Sequence, residues 1–185
     1  MRIISGIAKG RRLASPENRK IRPTSDKVKE SLFSILQPYI IEAVFADICA
    51  GSGNIGLEAL SRGAKWVEFV DNASDSCRLI KENAEKTGLN DFSLIRKDAA
   101  KYIAENKVRK FDVVFADPPY KMGVPEKIMS ALQKNNILEP DGLLIIETAS
   151  DEEAPLADGF ELVRRNVYGD TAMLFYRIKA DDSIG

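Results

Sequence analysis

Asp117-Pro118-Pro119-Tyr120 closes an apolar run, Phe111-Asp112-Val113-Val114-Phe115-Ala116. A carboxylate, two ring-locked residues and an aromatic ring suit one task well, holding a flat, amine-bearing ring against hydrogen-bond acceptors. Each proline fixes its own φ and biases the residue before it towards extended geometry, so the turn is stiff and its carbonyls cannot fold back into a helix. Asp117 and the Pro118 carbonyl can then accept the two hydrogens of an exocyclic –NH2 while Tyr120 stacks on the ring. That chemistry is amino-group methylation of a nucleobase. The same four residues also fit a strand-ending turn with a solvated Asp117 and a core tyrosine behind it.

A second constellation is Asp47-Ile48-Cys49-Ala50-Gly51-Ser52-Gly53-Asn54-Ile55-Gly56. Gly51, Gly53 and Gly56 spell GxGxxG, and Asp71 follows Gly51 by 20 residues, as in a dinucleotide fingerprint. The loop alone fits NAD as well as S-adenosylmethionine, because an acid after the second strand can bind either ribose. Asp47, four residues before the first glycine, separates the two. A pyrophosphate needs backbone N–H groups and a positive helix end, so a neighbouring carboxylate opposes it. S-adenosylmethionine carries a sulfonium and an α-ammonium instead, and a carboxylate favours both. The Asp-Pro-Pro-Tyr turn, which has no task in hydride transfer, also favours the methyl donor. Asp98-Ala99 completes the expected pocket, Asp98 accepting from the adenine amino group and the Ala99 amide donating to a ring nitrogen. Asp98 also fits as the N-cap of the helix that follows, and the two roles are compatible.

Composition narrows the chemistry further. The chain has 185 residues, 44% hydrophobic and 30% charged, enough for one well-buried core. It has no histidine, which excludes His-dependent triads and His metal ligands. Cys49 and Cys77, 28 residues apart, form no CxxC pattern. Both are expected to be reduced, in a cytoplasmic protein without a metal. No apolar stretch approaches the ~20 residues that span a bilayer, and the first residues lack the apolar core of a signal peptide. The net charge of −1 hides an asymmetry. Residues 1–29 hold nine Lys/Arg against Glu17 and Asp26, a net of +7, and the remainder carries −8. A basic arm on an acidic body points to a polyanion partner at one end of the molecule, with a merely solvated basic face as the alternative.

The elements that must position these residues follow from periodicity. Arg2 to Ala14 reads as a short hairpin with Gly6 and Gly10 as turn points, followed by a polar loop over 15–23. Thr24 fits an N-cap, with Asp26 in the first turn, and Val28, Leu32, Ile35 and Leu36 form one apolar stripe until Pro38 ends the helix. Strands are expected near 43–48, 67–71, 92–96, 111–117 and 142–147, alternating with helices near 54–62, 73–87, 98–105 and 124–135. That alternation implies a parallel sheet covered on both faces. Residues Phe160 to Val167 and Thr171 to Ile178 flank Tyr168-Gly169-Asp170 and read as a β-hairpin. The expected organisation is a basic hairpin and loop over 1–23, one compact domain over 24–180 and a polar tail over 181–185.

Several stretches together resemble the bacterial RsmD family. These are Arg2-Ile3-Ile4-Ser5-Gly6, Lys9-Gly10-Arg11-Arg12-Leu13, Arg22-Pro23-Thr24-Ser25-Asp26-Lys27-Val28-Lys29-Glu30-Ser31-Leu32-Phe33, the Asp47–Gly56 loop, Gly56 to Ala64, Asp71, Asp117–Tyr120 and Tyr168-Gly169-Asp170-Thr171. The resemblance covers roughly residues 2 to 178. The glycine loop and the Asp-Pro-Pro-Tyr turn are shared by many base methyltransferases, and the 22–33 stretch is much more specific. The resemblance implies a class I methyltransferase, a Rossmann-like doubly wound seven-stranded sheet, mostly parallel, with an antiparallel C-terminal hairpin strand and a short N-terminal β-hairpin extension. It also implies S-adenosylmethionine as donor, S-adenosylhomocysteine as product, and methylation of N2 of a guanine in 16S rRNA, within the 30S subunit or a late assembly intermediate. On this reading Arg2, Lys9, Arg11, Arg12, Arg22 and Lys27 hold RNA, and the protein is a monomer. An adenine-N6 methyltransferase acting on DNA or RNA shares the turn, and a non-catalytic RNA-binding assembly factor shares the fold.

Overall fold

The computed structural model describes residues 1–15, 26–105, 109–119 and 123–179. Its elements in chain order are α1 (Asp26–Ile40), β1 (Val44–Ile48), α2 (Asn54–Ser61), β2 (Trp66–Asp71), α3 (Ser74–Thr87), β3 (Phe92–Arg96), α4 (Ala99–Glu105), β4 (Phe111–Ala116), α5 (Val124–Lys134), β5 (Leu138–Ala149), β6 (Phe160–Tyr168) and β7 (Thr171–Ile178). The loop around 15–23, the cap at Thr24, the 23/24 boundary and the tail over 181–185 lie outside the described residues or adjoin them.

The strands form one seven-stranded sheet in the order β3-β2-β1-β4-β5-β7-β6. β1 to β5 run parallel, and β7 inserts antiparallel between β5 and β6. This is the mostly parallel seven-stranded sheet with an antiparallel hairpin strand expected from the sequence. Alternation at period two sends neighbouring side chains to opposite faces. Phe45, Phe69, Val113, Phe115, Ile145 and Phe175 join one core with α1, α2 and α3. Ala46, Val70, Val114, Ile146 and Leu174 join the other with α4 and α5. The strand order reverses between β1 and β4, and such switch points open a crevice at the carboxyl ends of the strands.

Two boundaries differ from the pattern reading. Pro38 does not end α1, which runs on to Ile40. Proline's φ is compatible with a helix, and near the C-terminal end it forfeits little beyond its own N–H bond. The extra turn carries Ile40 into the core, where it is buried. β5 begins at Leu138 rather than 142, because the chain pairs at Phe111↔Leu138 and then shifts register before Val113↔Leu143.

The N-terminal segment closes as a hairpin-like loop through a single antiparallel bridge, Arg2↔Arg12. It packs onto the C-terminal end of α2 rather than standing free. Ile3, Ala8 and Leu13 are buried in the core. The Ile7 amide donates to the Ser61 carbonyl at 2.8 Å, and the Ser61 hydroxyl donates to the Ser5 carbonyl at 2.6 Å. Gly6 permits that approach. Its φ is +84°, and a Cβ there would lie 1.6 Å from the Ser61 carbonyl oxygen.

Beneath this segment lies a fully buried ion pair. Lys29 Nζ sits 3.0 Å from Glu58 Oε2, and both side chains have no exposure. Lys29 also donates to the Arg2 carbonyl at 2.6 Å and to Asn54 Oδ1 at 2.7 Å. Glu58 accepts from the Ile4 amide at 2.8 Å, the Ser5 amide at 3.0 Å and Arg62 Nε at 2.7 Å. Burial lowers the Lys29 pKa, opposed by the Glu58 carboxylate. At the other edge, the Tyr168 and Ser31 hydroxyls share a hydrogen bond of 2.6 Å that ties the β6–β7 turn to α1. Among the described residues no helix is long and apolar enough to cross a membrane.

Removing one partner of a buried pair strands the other charge. Lys29→Met is therefore expected to lower stability by about 3–5 kcal/mol, read from urea denaturation at neutral pH.

Candidate methyl-donor and base site

A cavity of about 440 Å³ opens where β1 and β4 end. Its wall includes Asp47, Gly51, Asp71, Asp98, Ala99, Asp117 and Pro119 from the sequence-derived set. Gly53, Gly56 and Pro118 are buried beside it and do not line it. Tyr120 and Arg22 lie outside the described residues. Arg2, Lys9, Arg11, Arg12 and Lys27 are on the surface away from the cavity wall, with Arg2 Nε paired to Asp26 at 2.9 Å and Arg11 donating to the Lys86 carbonyl at 3.0 Å.

Three of the acids in the wall, Asp47, Asp71 and Asp98, accept from backbone amides. Asp47, on buried β1, accepts from the Gly56 amide at 2.8 Å, satisfying one of the unpaired N–H groups of the first turn of α2. Asp47 is thus a helix anchor as well as a wall charge. Burial raises its pKa well above its ordinary value, opposed by the Gly56 bond, with Asp117 and Asp71 adding to the rise. Asp71 accepts from the Gly51 amide at 2.8 Å and the Ala73 amide at 2.9 Å, clamping the glycine loop to the β2–α3 turn. Asp98 accepts from the Lys101 amide at 3.0 Å and so caps α4 while facing the cavity.

Asp117 is half-buried, and its amide donates to the Ile48 carbonyl at 3.2 Å, which seats the turn after β4 against β1. Burial pushes its carboxyl up to about 6. The turn and the glycine loop therefore face one space, and among the described residues its wall carries four acidic side chains and one basic side chain, Lys97. Lys97 is itself paired with Glu105. An anionic wall disfavours a pyrophosphate and favours a cationic ligand.

Gly56 fits by absence of a side chain. A Cβ there would lie 2.3 Å from Cε1 of the Phe69 ring, so α2 can rest directly on β2. Cys49, at the end of β1, has φ +60°, a left-handed conformation that non-glycine residues seldom adopt. Burial and then the surrounding Asp71, Asp117, Asp47 and Asp98 push its thiol up to about 12.

The chain matches the family described as Conserved hypothetical protein 95 over residues 1–177. Ribosomal RNA small subunit methyltransferase D of Haemophilus influenzae is 34% identical to it over 180 residues, covering 96% of this chain and 93% of that protein. The chain belongs to the RsmD family. The putative rRNA methyltransferase YlbH of Bacillus subtilis is 35% identical, across 96% of this chain and 98% of that protein. Among solved structures, the putative methyltransferase yhhF of Escherichia coli superposes with a TM-score of 0.87 at 29% identity, covering 98% of this chain and 99% of that one. The match reaches across the N-terminal segment as well as the RsmD catalytic fold, as the docking of that segment on α2 would lead one to expect.

Residue patterns alone did not single out Ser52, Asn54 or Lys97 as cavity wall, nor Lys29, Glu58 and Asn83 as the polar groups behind it. One signal was present. Lys29 sits on the apolar stripe of α1 with Leu32, Phe33, Leu36 and Ile40, and Glu58 interrupts the apolar run of α2.

Because the Phe69 ring is fully buried, Gly56→Ala must push α2 off β2. It is expected to cost about 1–3 kcal/mol and to weaken binding of S-adenosylhomocysteine, read by thermal denaturation and calorimetric titration.

Proposed function

We propose that this RsmD-family chain transfers a methyl group from S-adenosylmethionine to the exocyclic N2 amine of a guanine in small-subunit rRNA. The observation that carries the reading is the shared space, with Asp117 and Pro119 facing the same cavity as Gly51 and Asp71. The names of the relatives support rRNA as the substrate class. The residues present fit the donor by their charge, since a sulfonium and an α-ammonium favour the ionised form of the four wall acids and oppose the burial that raises Asp47 and Asp117. When bound, S-adenosylmethionine supplies an electrophilic methyl carbon.

The chain's own residues do the rest. The guanine amine is a poor nucleophile because its lone pair is delocalised into the ring. Asp117 and the Pro118 carbonyl accept its two N–H hydrogens and turn the lone pair towards the methyl carbon. Holding acceptor and donor at near-attack distance is the main source of rate, an effect that reaches ~7–11 kcal/mol in well-oriented systems. The Asp117 carboxylate also faces the positive charge that develops on nitrogen. The spare proton then leaves to Asp117 or to water. The target base must be unstacked to reach the cavity, and Tyr120 is the platform in this reading. Arg2, Lys9, Arg11, Arg12, Arg22 and Lys27 hold phosphates, and RNA shape selects the site. The enzyme works as a cytoplasmic monomer on the 30S subunit or a late assembly intermediate, without a metal.

Labelled methyl transfer to undermodified 30S particles, deproteinised 16S rRNA and duplex DNA tests this directly. The expected product is N2-methylguanosine in particle or rRNA, absent with Asp117→Ala. Label appearing as N6-methyladenosine in DNA would overturn the substrate assignment.

Protonation of Asp117 removes an acceptor, so kcat/KM is expected to fall as pH is lowered through about 6. A profile flat between about pH 8 and about pH 5 would exclude Asp117 from the role given to it. Replacing Arg11 and Arg12 together by Ala is expected to weaken RNA binding and flatten its salt dependence by about two phosphate contacts. S-adenosylhomocysteine affinity in the absence of RNA should stay unchanged in that variant.

A further inference from the structure

We propose that Asn83 is a positioning residue that straps the basic N-terminal segment to the cofactor loop, so that cofactor and RNA occupancy reinforce one another. The RNA half of this inference rests on the function proposed above. The strap itself rests on geometry.

Asn83 has no solvent exposure, and it lies in α3 among Ile80, Ala84 and Thr87. Its amide is spent on two distant stretches of chain. Nδ2 donates to the Ser52 carbonyl at 3.0 Å and to the Ala14 carbonyl at 3.2 Å, and Oδ1 accepts from the Ala14 amide at 2.7 Å. Ser52 lines the cavity between Gly51 and Gly53. Ala14 ends the segment that carries Lys9, Arg11 and Arg12.

The other end of that segment is held in the same manner. Lys29 bonds the Arg2 carbonyl and Asn54 Oδ1, and Asn54 also lines the cavity. Residues 2–14 are therefore clamped at both ends to side chains or carbonyls of the cavity wall. A residue needed only to fill the α3 core would be apolar, and a residue needed only to cap a loose strand would bond one stretch. Asn83 bonds two, the loop that lines the cavity and the end of the segment that carries Lys9, Arg11 and Arg12. A ligand that fixes Ser52 thereby restricts Ala14. By thermodynamic reciprocity, whatever orders the basic segment favours the cofactor-bound loop by the same factor.

The test begins without RNA. In the wild-type chain, saturating S-adenosylhomocysteine is expected to slow hydrogen exchange at the Ile3, Gly10 and Leu13 amides, which bond to Arg11, Ile3 and Met1 carbonyls. Asn83→Asp keeps the acceptor for the Ala14 amide and loses both donations. It should bind S-adenosylhomocysteine and lose most of that protection. Should it fail to fold, Asn83→Ser, which retains one hydroxyl donor, takes its place. The second arm measures binding to undermodified 30S particles with and without S-adenosylhomocysteine. The ratio of the two dissociation constants is expected to be about 5- to 50-fold in wild type and close to one in the variant. No protection in wild type, or equal protection and equal ratios in wild type and variant, would overturn the role of Asn83. Protection that depends on Asn83 together with no particle binding would leave the strap standing and overturn the RNA reading.

Discussion

The Lys29–Glu58 pair is the constraint on which the placement of the site depends. It joins α1, α2 and the N-terminal segment at one point, and apart from Arg62, one turn on from Glu58, the partners named above are distant in sequence. A buried pair of this kind is weak evidence for net stability, since desolvation offsets much of the attraction. Its effect here is specificity of arrangement. Glu58 has its oxygens engaged by Lys29, Arg62 and two amides, so α2 can take only one rotation relative to the hairpin that covers it. Because α2 begins at Asn54, directly after the glycine loop, fixing its rotation also fixes the loop.

From α2 the constraint passes into the site through Asp47. This carboxylate holds the Gly56 amide from below while the Gly56 Cα rests on Phe69. Asp71 holds the same loop from the side through the Gly51 amide. Three of the four wall acids, Asp47, Asp71 and Asp98, thus accept from backbone that they shape while also facing the cavity. Positioning and electrostatics come from the same atoms.

The parts legible in the sequence were those with a local signature. The apolar run of β4, the glycine loop and the rigid Asp-Pro-Pro turn each announce themselves within ten residues or so of chain, and β4 and the helix after the glycine loop lie where the pattern put them. Pro38 was misleading because its helix-breaking tendency lost to the burial of Ile40 beyond it. The polar scaffold was illegible for a different reason. Asn83 meets Ala14 across 69 positions and Glu58 meets Ile4 across 54, and neither separation leaves a periodic trace. Charged residues within apolar stretches, Lys29 in α1 and Glu58 in α2, were the local signs that a buried pair existed.

Cys49 carries a consequence for the chemical durability of the site. A sulfonium donor is an alkylating agent, and a thiolate is a better acceptor for its methyl group than any aromatic amine. A thiol in the donor cavity would therefore divert the reaction onto the protein. With the thiol pushed up to about 12 by burial, the thiolate is disfavoured at neutral pH. Burial, reinforced by the surrounding carboxylates, favours the protonated thiol, the form least reactive towards a sulfonium.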